Sequence, residues 1–522
     1  MKAPKKAHRE KLAQATVLLM VLEFLTAVAG LGRQMVVAAK FGTSETTDAY
    51  VVAMTVLGLI QLWLLLPIRQ VILPMFRYDL TRQGEKDAWG NASVLINNLA
   101  VVLLLVTLAA WFLTPGLVSL LTPGFDAETN DLATTLTRIA LFSMVFVVPS
   151  TILEQILFSY ERFFLPGITD LVNNVVTLIA LFILGSAYGI YGLAAAVVCG
   201  GLCEFISQTP ILWEKRKLYR RKIDLRHPGM HELGRLSFPL LFANSGVELA
   251  RITDRIFASL LPAGSLSALS FAGRPTAILL DMFVSPLQKS IFPHFTRLSA
   301  EGNFQALSRQ HSRYMGLLFF LTMPVAVGML VTAEPIVRML YQRGAFDETS
   351  VRLTSQSLAC YALGFPALAL SRALIRTFVS LKDTWAPTKT SLWRIGVKIL
   401  LSWLLVYRFA HVGLALAEAL SQIFRTAYLF ILLPQEVKGQ EEWATLKSFA
   451  QTTATCALMG TSVYFIREEI SGFWSTPVEL STLVLIGVIS YAALSFVRKG
   501  EELQSLLATL SSLGAKYLPR KS

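Results

Sequence analysis

Residues 248–255 read Glu-Leu-Ala-Arg-Ile-Thr-Asp-Arg, four charged side chains inside a segment otherwise apolar enough to be buried. At helical spacing Glu248, Arg251 and Arg255 fall on one face. Arg33, Arg69, Arg274 and Lys289 sit in comparable surroundings, with Asp48, Asp254 and Asp281 as the neighbouring acids. A guanidinium is planar, stays charged at any physiological pH and donates two parallel hydrogen bonds, so this set suits an anion such as a phosphate. For the helical tetrad two readings stay open: Arg251 and Arg255 are neutralised by Glu248 and Asp254, or they hold a ligand. Arg274 has no acid one turn away, and the ligand reading is the stronger there. No other group has the spacing of a chemical site. The six histidines are scattered, and neither a phosphate-cradling glycine loop nor a nucleophile elbow is present. Cys199, Cys203, Cys360 and Cys456 lie in apolar segments and read as small buried hydrophobes. We expect no catalytic residue, no metal and no cofactor. An enzyme is not expected, and any transport would draw on a monovalent cation, a proton, the membrane potential or the substrate's own gradient.

The elements that must position these charges are set by composition. Of 522 residues 54% are hydrophobic and 16% charged, against about 25% charged in soluble domains. Apolar runs of roughly 20 residues recur, each long enough to cross a hydrocarbon core. The expected fold is all-α: a polytopic membrane protein of about fourteen transmembrane helices, among them 13–40, 50–76, 133–158, 236–260, 267–293, 388–408, 411–433, 448–466 and 477–497. The first is too long for the apolar core of a signal peptide. Basic residues gather in alternate loops, from Lys2 to Lys11, Arg77 to Lys86, Lys215 to Arg235, Arg297 to Arg313 and Arg498 to Lys521. That bias places both termini in the cytoplasm of a bacterial inner membrane, and it accounts for the net charge of +13. The basic run Trp213–Lys222 is read as an anchor on anionic lipid headgroups rather than a nucleic-acid site. Leu503, Leu506, Leu507, Leu510 and Leu513 mark an amphipathic helix lying on the cytoplasmic leaflet.

An internal repeat organises the helices. Pro67-Ile-Arg-Gln-Val-Ile-Leu-Pro74-Met-Phe76 and Pro286-Leu-Gln-Lys-Ser-Ile-Phe-Pro293-His-Phe295 both read P-x6-P-x-F, so that Pro67 corresponds to Pro286. Gly30-Leu-Gly-Arg33 and Glu248-Leu-Ala-Arg251 lie upstream at nearly the same offset. The expected organisation is a six-helix lobe over 1–212, a basic linker over 213–235, a second six-helix lobe over 236–434, two further helices over 447–497 and a tail over 498–522. Six crossings per lobe give both lobes one orientation, related by a pseudo-twofold axis along the membrane normal. An intramembrane cation costs about 2.5–3.5 kcal/mol on insertion scales, so its default reading is functional. The cations concentrate in helices one, two, seven and eight, the opening pairs of the two lobes. Glu154, Glu204, Arg394, Lys398, Glu418 and Arg425 are read as pairing between helices or snorkelling to an interface.

Thr47-Asp48-Ala49-Tyr50, Asp254-Arg-Ile-Phe-Ala-Ser259, Gly264-Ser-Leu-Ser-Ala-Leu269 and Phe271-Ala-Gly-Arg274 resemble the MurJ/MviN family of lipid II flippases, in the MOP exporter superfamily. Tyr341-Gln-Arg-Gly-Ala-Phe346 and Phe378-Val-Ser-Leu-Lys-Asp-Thr384 extend the match. The resemblance implies a 6+6+2 helix bundle with a cationic cavity, and a groove for the lipid tail formed by the last two helices. Lipid II, an undecaprenyl-pyrophosphate-linked precursor of peptidoglycan, would be the cargo, with membrane lipids and cell-envelope synthesis proteins as partners. Arg33 matches the arginine of the family's G-x-x-R-D pattern, although Gln34 replaces its Asp; Arg274 matches a cavity arginine and Asp48 the acid after helix one. Ala27 stands where a further cavity arginine is expected, and Gln61 and Leu62 stand near an expected Arg-Arg pair. Arg69, Arg251 and Arg255 would supply pyrophosphate-binding charge, while Asp48, Asp254 and Glu248 would serve as gating or structural acids. A flippase for an exopolysaccharide or another lipid-linked oligosaccharide is the alternative, and a drug or cation antiporter of the superfamily a weaker one.

Overall fold

The computed structural model describes residues 3–224, 226–438, 442–470 and 474–498. Regular structure among them is helical throughout. The first helices are α1 (Ala3–Phe41), α2 (Glu45–Arg82), α3 (Glu85–Leu121), α4 (Ala127–Leu141), α5 (Met144–Ser159), α6 (Phe164–Ala187), α7 (Gly189–Gln208) and the short α8 (Pro210–Glu214). Then come α9 (Pro228–Ser259), α10 (Ser265–Phe283), α11 (Ser285–Ala300), α12 (Phe304–Val331) and α13 (Ala333–Tyr341). The chain closes with α14 (Glu348–Ser380), α15 (Trp385–Leu432), α16 (Gln435–Lys438), α17 (Glu442–Ile470) and α18 (Thr476–Arg498). The expected amphipathic helix of the tail lies outside the described residues.

Ten helical stretches among the described residues are long and apolar enough to cross a membrane, with α4–α5 and α7–α8 each counting as one. The helices α9, α10 and α17 have membrane length but carry more polar and charged residues. The remaining crossing is hidden in α15, whose backbone reverses at Ala410 (φ 48°, ψ −130°). Among the described residues these make fourteen candidate crossings, and the protein is an all-α polytopic membrane protein.

Two expectations are corrected. Helix eight, expected as one span over 267–293, is two helices that meet at Val284. Pro286 opens the second of them, because it has no N–H to bond the preceding turn and its ring crowds a carbonyl there. In the first copy of the repeat Pro67 and Pro74 sit inside an uninterrupted α2. The span expected over 133–158 is present as one stretch, in which α4 and α5 meet at Phe142–Ser143. Helix seven begins at Pro228, earlier than the expected 236, with His227 as its cap and proline in the first turn, where the missing N–H costs nothing.

The chain forms two compact units. The first is Met1–Ser267 together with Arg343–Phe346; the second is Ala268–Gln342 with Asp347–Ser522. In the first, Ile68, Ile72 and Phe76 of α2 pack with Trp89 of α3 and with Met144, Ile152 and Ile156 of α5. Trp89 is fully buried, and its Nε1–H donates to the Tyr160 hydroxyl at 2.8 Å, which in turn donates to Glu85 at 2.8 Å. The basic run after α8 is tied to the start of α3 by Lys215–Glu85 (2.7 Å) and Arg220–Asp87 (3.4 Å). The Glu85 carboxylate beside Lys215 holds its ammonium above the ordinary lysine range. In the second unit Met459 and Val463 of α17 and Leu483 of α18 are buried together, with Val327 and Val331 of α12 packed on them.

Two tight reversals reveal a further copy of the repeat. Between α6 and α7, a Cβ on Gly192 would lie 2.1 Å from the Leu184 carbonyl oxygen. At the Ala410 reversal, a Cβ on Gly413 would lie 2.4 Å from the Leu405 carbonyl oxygen. Both positions therefore require glycine. Each is followed by similar residues, Gly192-Leu-Ala-Ala-Ala196 and Gly413-Leu-Ala-Leu-Ala417, in nearly the register that relates Pro67 to Pro286.

Candidate anion site and its arginines

In the first unit α2 packs against α9. Ser44 caps α2, its hydroxyl accepting from the Thr47 N–H, and Asp48 lies in the first turn. The Asp48 carboxylate is only 3% exposed. It accepts the Gly264 N–H at 2.8 Å through Oδ2 and the Ser267 N–H at 2.6 Å through Oδ1. These donors belong to the start of α10, where N–H groups lack partners within the helix and the helix dipole favours an anion. Asp48 thereby joins the start of α2 to the start of α10.

Arg255 sits close enough to act electrostatically on Asp48. Its Nε–H donates to the Thr55 hydroxyl at 3.0 Å, and Thr55 in turn donates to the Val51 carbonyl at 2.8 Å. Asp254 is half-buried beside it. One turn earlier on α9, Arg251 donates to Glu248 at 3.0 Å. The arginine of that pair is 62% exposed and the glutamate 10%, so the acid is covered while the cation reaches outward. Arg33 of α1 is half-buried near Tyr50 of α2. Among the described residues no side chain hydrogen-bonds or ion-pairs with it. Arg69 is half exposed, and its nearest acid is Glu154 of α5 at 3.9 Å, beyond a direct hydrogen bond.

α2 and α9 thus bring Asp48, Thr55 and Arg255 together, with Glu248 and Arg251 further along the same helix. Arg33 stands beside α2, and Arg69 lies with α5. Arg274 belongs to the second unit, half-buried on α10 beside Pro275, where its charge is felt by the Tyr341 hydroxyl. Tyr341 donates to the Phe271 carbonyl at 3.2 Å. In chemical terms Arg33 has no acid beside it among the described residues, Arg69 meets one only at 3.9 Å and Arg251 is mostly exposed, so these three keep N–H donors for an anion, while Arg255 is held at the Thr55 hydroxyl.

In the second unit Arg394, Lys398 and Glu418 take the first of their two expected roles, pairing between helices. The two halves of α15 bring Arg394 and Lys398 onto Glu418 at 2.9 and 2.6 Å, and Gln422 donates to the same carboxylate at 2.9 Å. Arg425 donates to Ser391 at 2.7 Å. Arg394 and Lys398 are buried. The signal that finds this network is the alignment of the two glycine reversals. Setting Gly192 on Gly413 places Arg394, Lys398 and Arg425 opposite Asn173, Thr177 and Glu204.

The sequence model of the family described as "Lipid II flippase MurJ" matches residues 37–485. The chain belongs to the MurJ family. A lipid II flippase MurJ from Burkholderia cenocepacia is 25% identical over 495 residues, covering 90% of this chain and 94% of that protein. A probable lipid II flippase MurJ from Thermotoga maritima is 26% identical over 488 residues, covering 93% and 96%. Among solved structures, a lipid II flippase MurJ in an inward closed conformation superposes with a TM-score of 0.77 at 21% identity, covering 92% of this chain and 98% of that one. An inward-facing multidrug resistance MATE family transporter of the MOP superfamily reaches 0.66 at 12% identity, covering 84% and 98%. At such identities the structural likeness establishes the MurJ and MOP fold, and the family match establishes membership of a transporter family.

Proposed function

We propose that this chain is a flippase that moves lipid II, a polyprenyl-pyrophosphate-linked glycan, from the cytoplasmic to the outer leaflet by alternating access. The observation that carries the reading is the set of membrane-embedded guanidinium groups in a chain whose family match spans 37–485. Arg33 stands among the described residues without a carboxylate, and Arg69 contacts its acid only at 3.9 Å. A diphosphate gives Arg33 the anionic partner it lacks and can replace the long Arg69–Glu154 contact with charge-assisted hydrogen bonds. Arg251 and Arg255 add to the candidate ligands of the first unit and Arg274 is a separate candidate in the second, Asp48 holds the start of α10, and Glu248 and Asp254 tune the arginines beside them. The work is binding and release without covalent chemistry. The positive loops support an inner-membrane location with both termini in the cytoplasm. The repeat supports two six-helix lobes, 1–212 and 236–434, followed by two more helices. Partners would be membrane lipids and proteins of cell-envelope synthesis.

A second reading, a flippase for another polyprenyl-linked glycan, is favoured by Ala27, Gln34, Gln61 and Leu62, which stand where the family pattern has charged residues. One experiment separates the two. In a bacterium depleted of its own lipid II flippase, this chain restores growth on the first reading, and Arg33→Ala or Arg274→Ala abolishes the rescue. No rescue by wild-type chain that is present in the membrane moves the assignment to the second.

A further inference from the structure

We propose that Glu204 and Glu154 form a proton-binding site in the first unit, and that its occupancy is linked to anion binding through Arg69. Glu204 of α7 is 6% exposed and accepts a side-chain hydrogen bond from Asn173 Nδ2 of α6 at 2.6 Å. Glu154 of α5 is largely covered, and its charged neighbour is Arg69 at 3.9 Å. The two glutamates lie close enough to repel one another as anions. Ser150 is fully buried and faces Glu204, yet its hydroxyl has no hydrogen-bond partner at bonding geometry. Two carboxylates in membrane helices, with one amide donor and one distant guanidinium between them, have too few partners for two negative charges. A proton taken up by either glutamate removes one of the two charges and relieves their repulsion.

The surrounding charges narrow the site to these groups. On α6 the facing group is Asp170, whose charge adds to the repulsion at both glutamates. On α2 it is Arg69. Arg77 and Asp79 of α2 are committed to Glu161 and Asn91. Arg138 of α4 donates to the Trp111 carbonyl and lies over that indole ring, and Glu128 and Asp131 lie in the first two turns of the same helix, at its far end from α5. Glu85 and Asp87 of α3 bond Lys215 and Arg220, and Glu214 of α8 bonds Arg162 and Lys215.

The repeat supplies an independent argument. In the register that sets Gly192 on Gly413, Asp170, Asn173, Thr177 and Glu204 correspond to Ser391, Arg394, Lys398 and Arg425. The second copy fills three of these four positions with its own cations, of which Arg394 and Lys398 are buried. The first copy holds two acids, an amide and a hydroxyl in the same positions, so none of the four supplies a cation and a proton can take that part. Arg69 is half exposed and can swing between Glu154 and a phosphate. An anion that draws Arg69 away leaves Glu154 without its counter-charge and favours proton uptake, and a bound proton releases Arg69 to the anion. The coupling is reciprocal.

The linkage to Arg69 rests on the flippase reading, whereas the proton site does not, and the test treats them apart. Infrared difference spectra of the purified full chain between acidic and alkaline buffer report protonated carboxyl groups. Wild type shows a carboxylic acid band that Glu204→Gln and Glu154→Gln each remove. Asn173→Leu keeps both acids and shifts the band's frequency, which covers the case in which a glutamine variant fails to fold. Spectra identical in wild type and all three variants overturn the site, and so does a band erased by sodium at constant pH, which would make the ligand sodium. Undecaprenyl pyrophosphate added to weakly buffered protein is then expected to draw about one proton per lipid bound, and Arg69→Gln to bind it more weakly and, at saturating lipid, without uptake. Wild type that binds the lipid without uptake overturns the linkage and leaves the proposed function standing. A titrating band with no lipid binding supports the proton site and counts against the flippase reading.

Discussion

Replacing Asp48 tests the joint at the start of α2 and α10. Asp48→Ala leaves the buried N–H groups of Gly264 and Ser267 without the carboxylate they donate to at 2.8 and 2.6 Å. Each charge-assisted bond of this kind is worth about 1.5–3 kcal/mol. The variant also escapes the cost of burying a carboxylate, so the net loss is about 2–3 kcal/mol. At about 2–4 °C per kcal/mol for a unit of this size, Tm falls by roughly 4–12 °C. Asp48→Asn keeps one acceptor oxygen but turns an amide N–H toward the second donor, and it should lose about half as much. The assay is thermal unfolding of purified protein in detergent, followed by a thiol-reactive dye on the buried Cys456, with ellipticity as a second probe. The same Tm for wild type and Asp48→Ala would show that Asp48 does not hold α10, and the argument from its two backbone bonds would fail.

Arg33→Ala should abolish complementation with a Tm change under about 0.5 kcal/mol equivalent, since no bond is broken; a large fall in Tm would mean that the side chain is structural. Arg251→Ala uncovers Glu248 and should cost about 1 kcal/mol, a modest figure because the arginine is mostly exposed, and Glu248→Gln in the same chain should restore Tm. Gly413→Ala forces a Cβ to within 2.4 Å of the Leu405 carbonyl oxygen and should destabilise the chain by about 2 kcal/mol or more, whereas Gly396→Ala meets open space and should gain about 0.5–1 kcal/mol in chemical or thermal unfolding. Asp347 caps α14 through the Ser350 N–H at 2.8 Å, a bond that holds its carboxyl below the ordinary aspartate value. Its contribution is present above the unfolded aspartate pKa and lost as pH falls through the folded one, so Asp347→Ala should lower Tm at pH 7 and leave it unchanged in strong acid.

The tract from Gly264 to Pro275 shows how the sequence and the fold divide the work. Its motifs resemble the family's, and they mark where a helix starts and that Arg274 lies within it. The all-helical membrane fold and the reversal near Ala410 were likewise legible, because hydrophobic length and glycine act locally and leave their mark in the order of residues. The break at Val284 was not, since Pro67 and Pro74 stand in the same pattern within an unbroken α2. A proline can kink, break or be accommodated, and neighbouring helices decide which.

Charge partnership was the least legible. Spacing left Arg251 open between pairing and ligand binding, and only the packed helix shows it bonded to Glu248. Glu418 lies on the far side of the Ala410 reversal from Arg394 and carries no local sign that the two meet across it. Nor does anything around Asp48 announce that its partners are as distant in the chain as Gly264 and Ser267. Sequence alone determined that cations are embedded in membrane helices, because insertion depends on the composition of each segment. Which of them are neutralised was decided by tertiary structure, because an ion pair needs two side chains within about 4 Å, and only helix packing sets that distance.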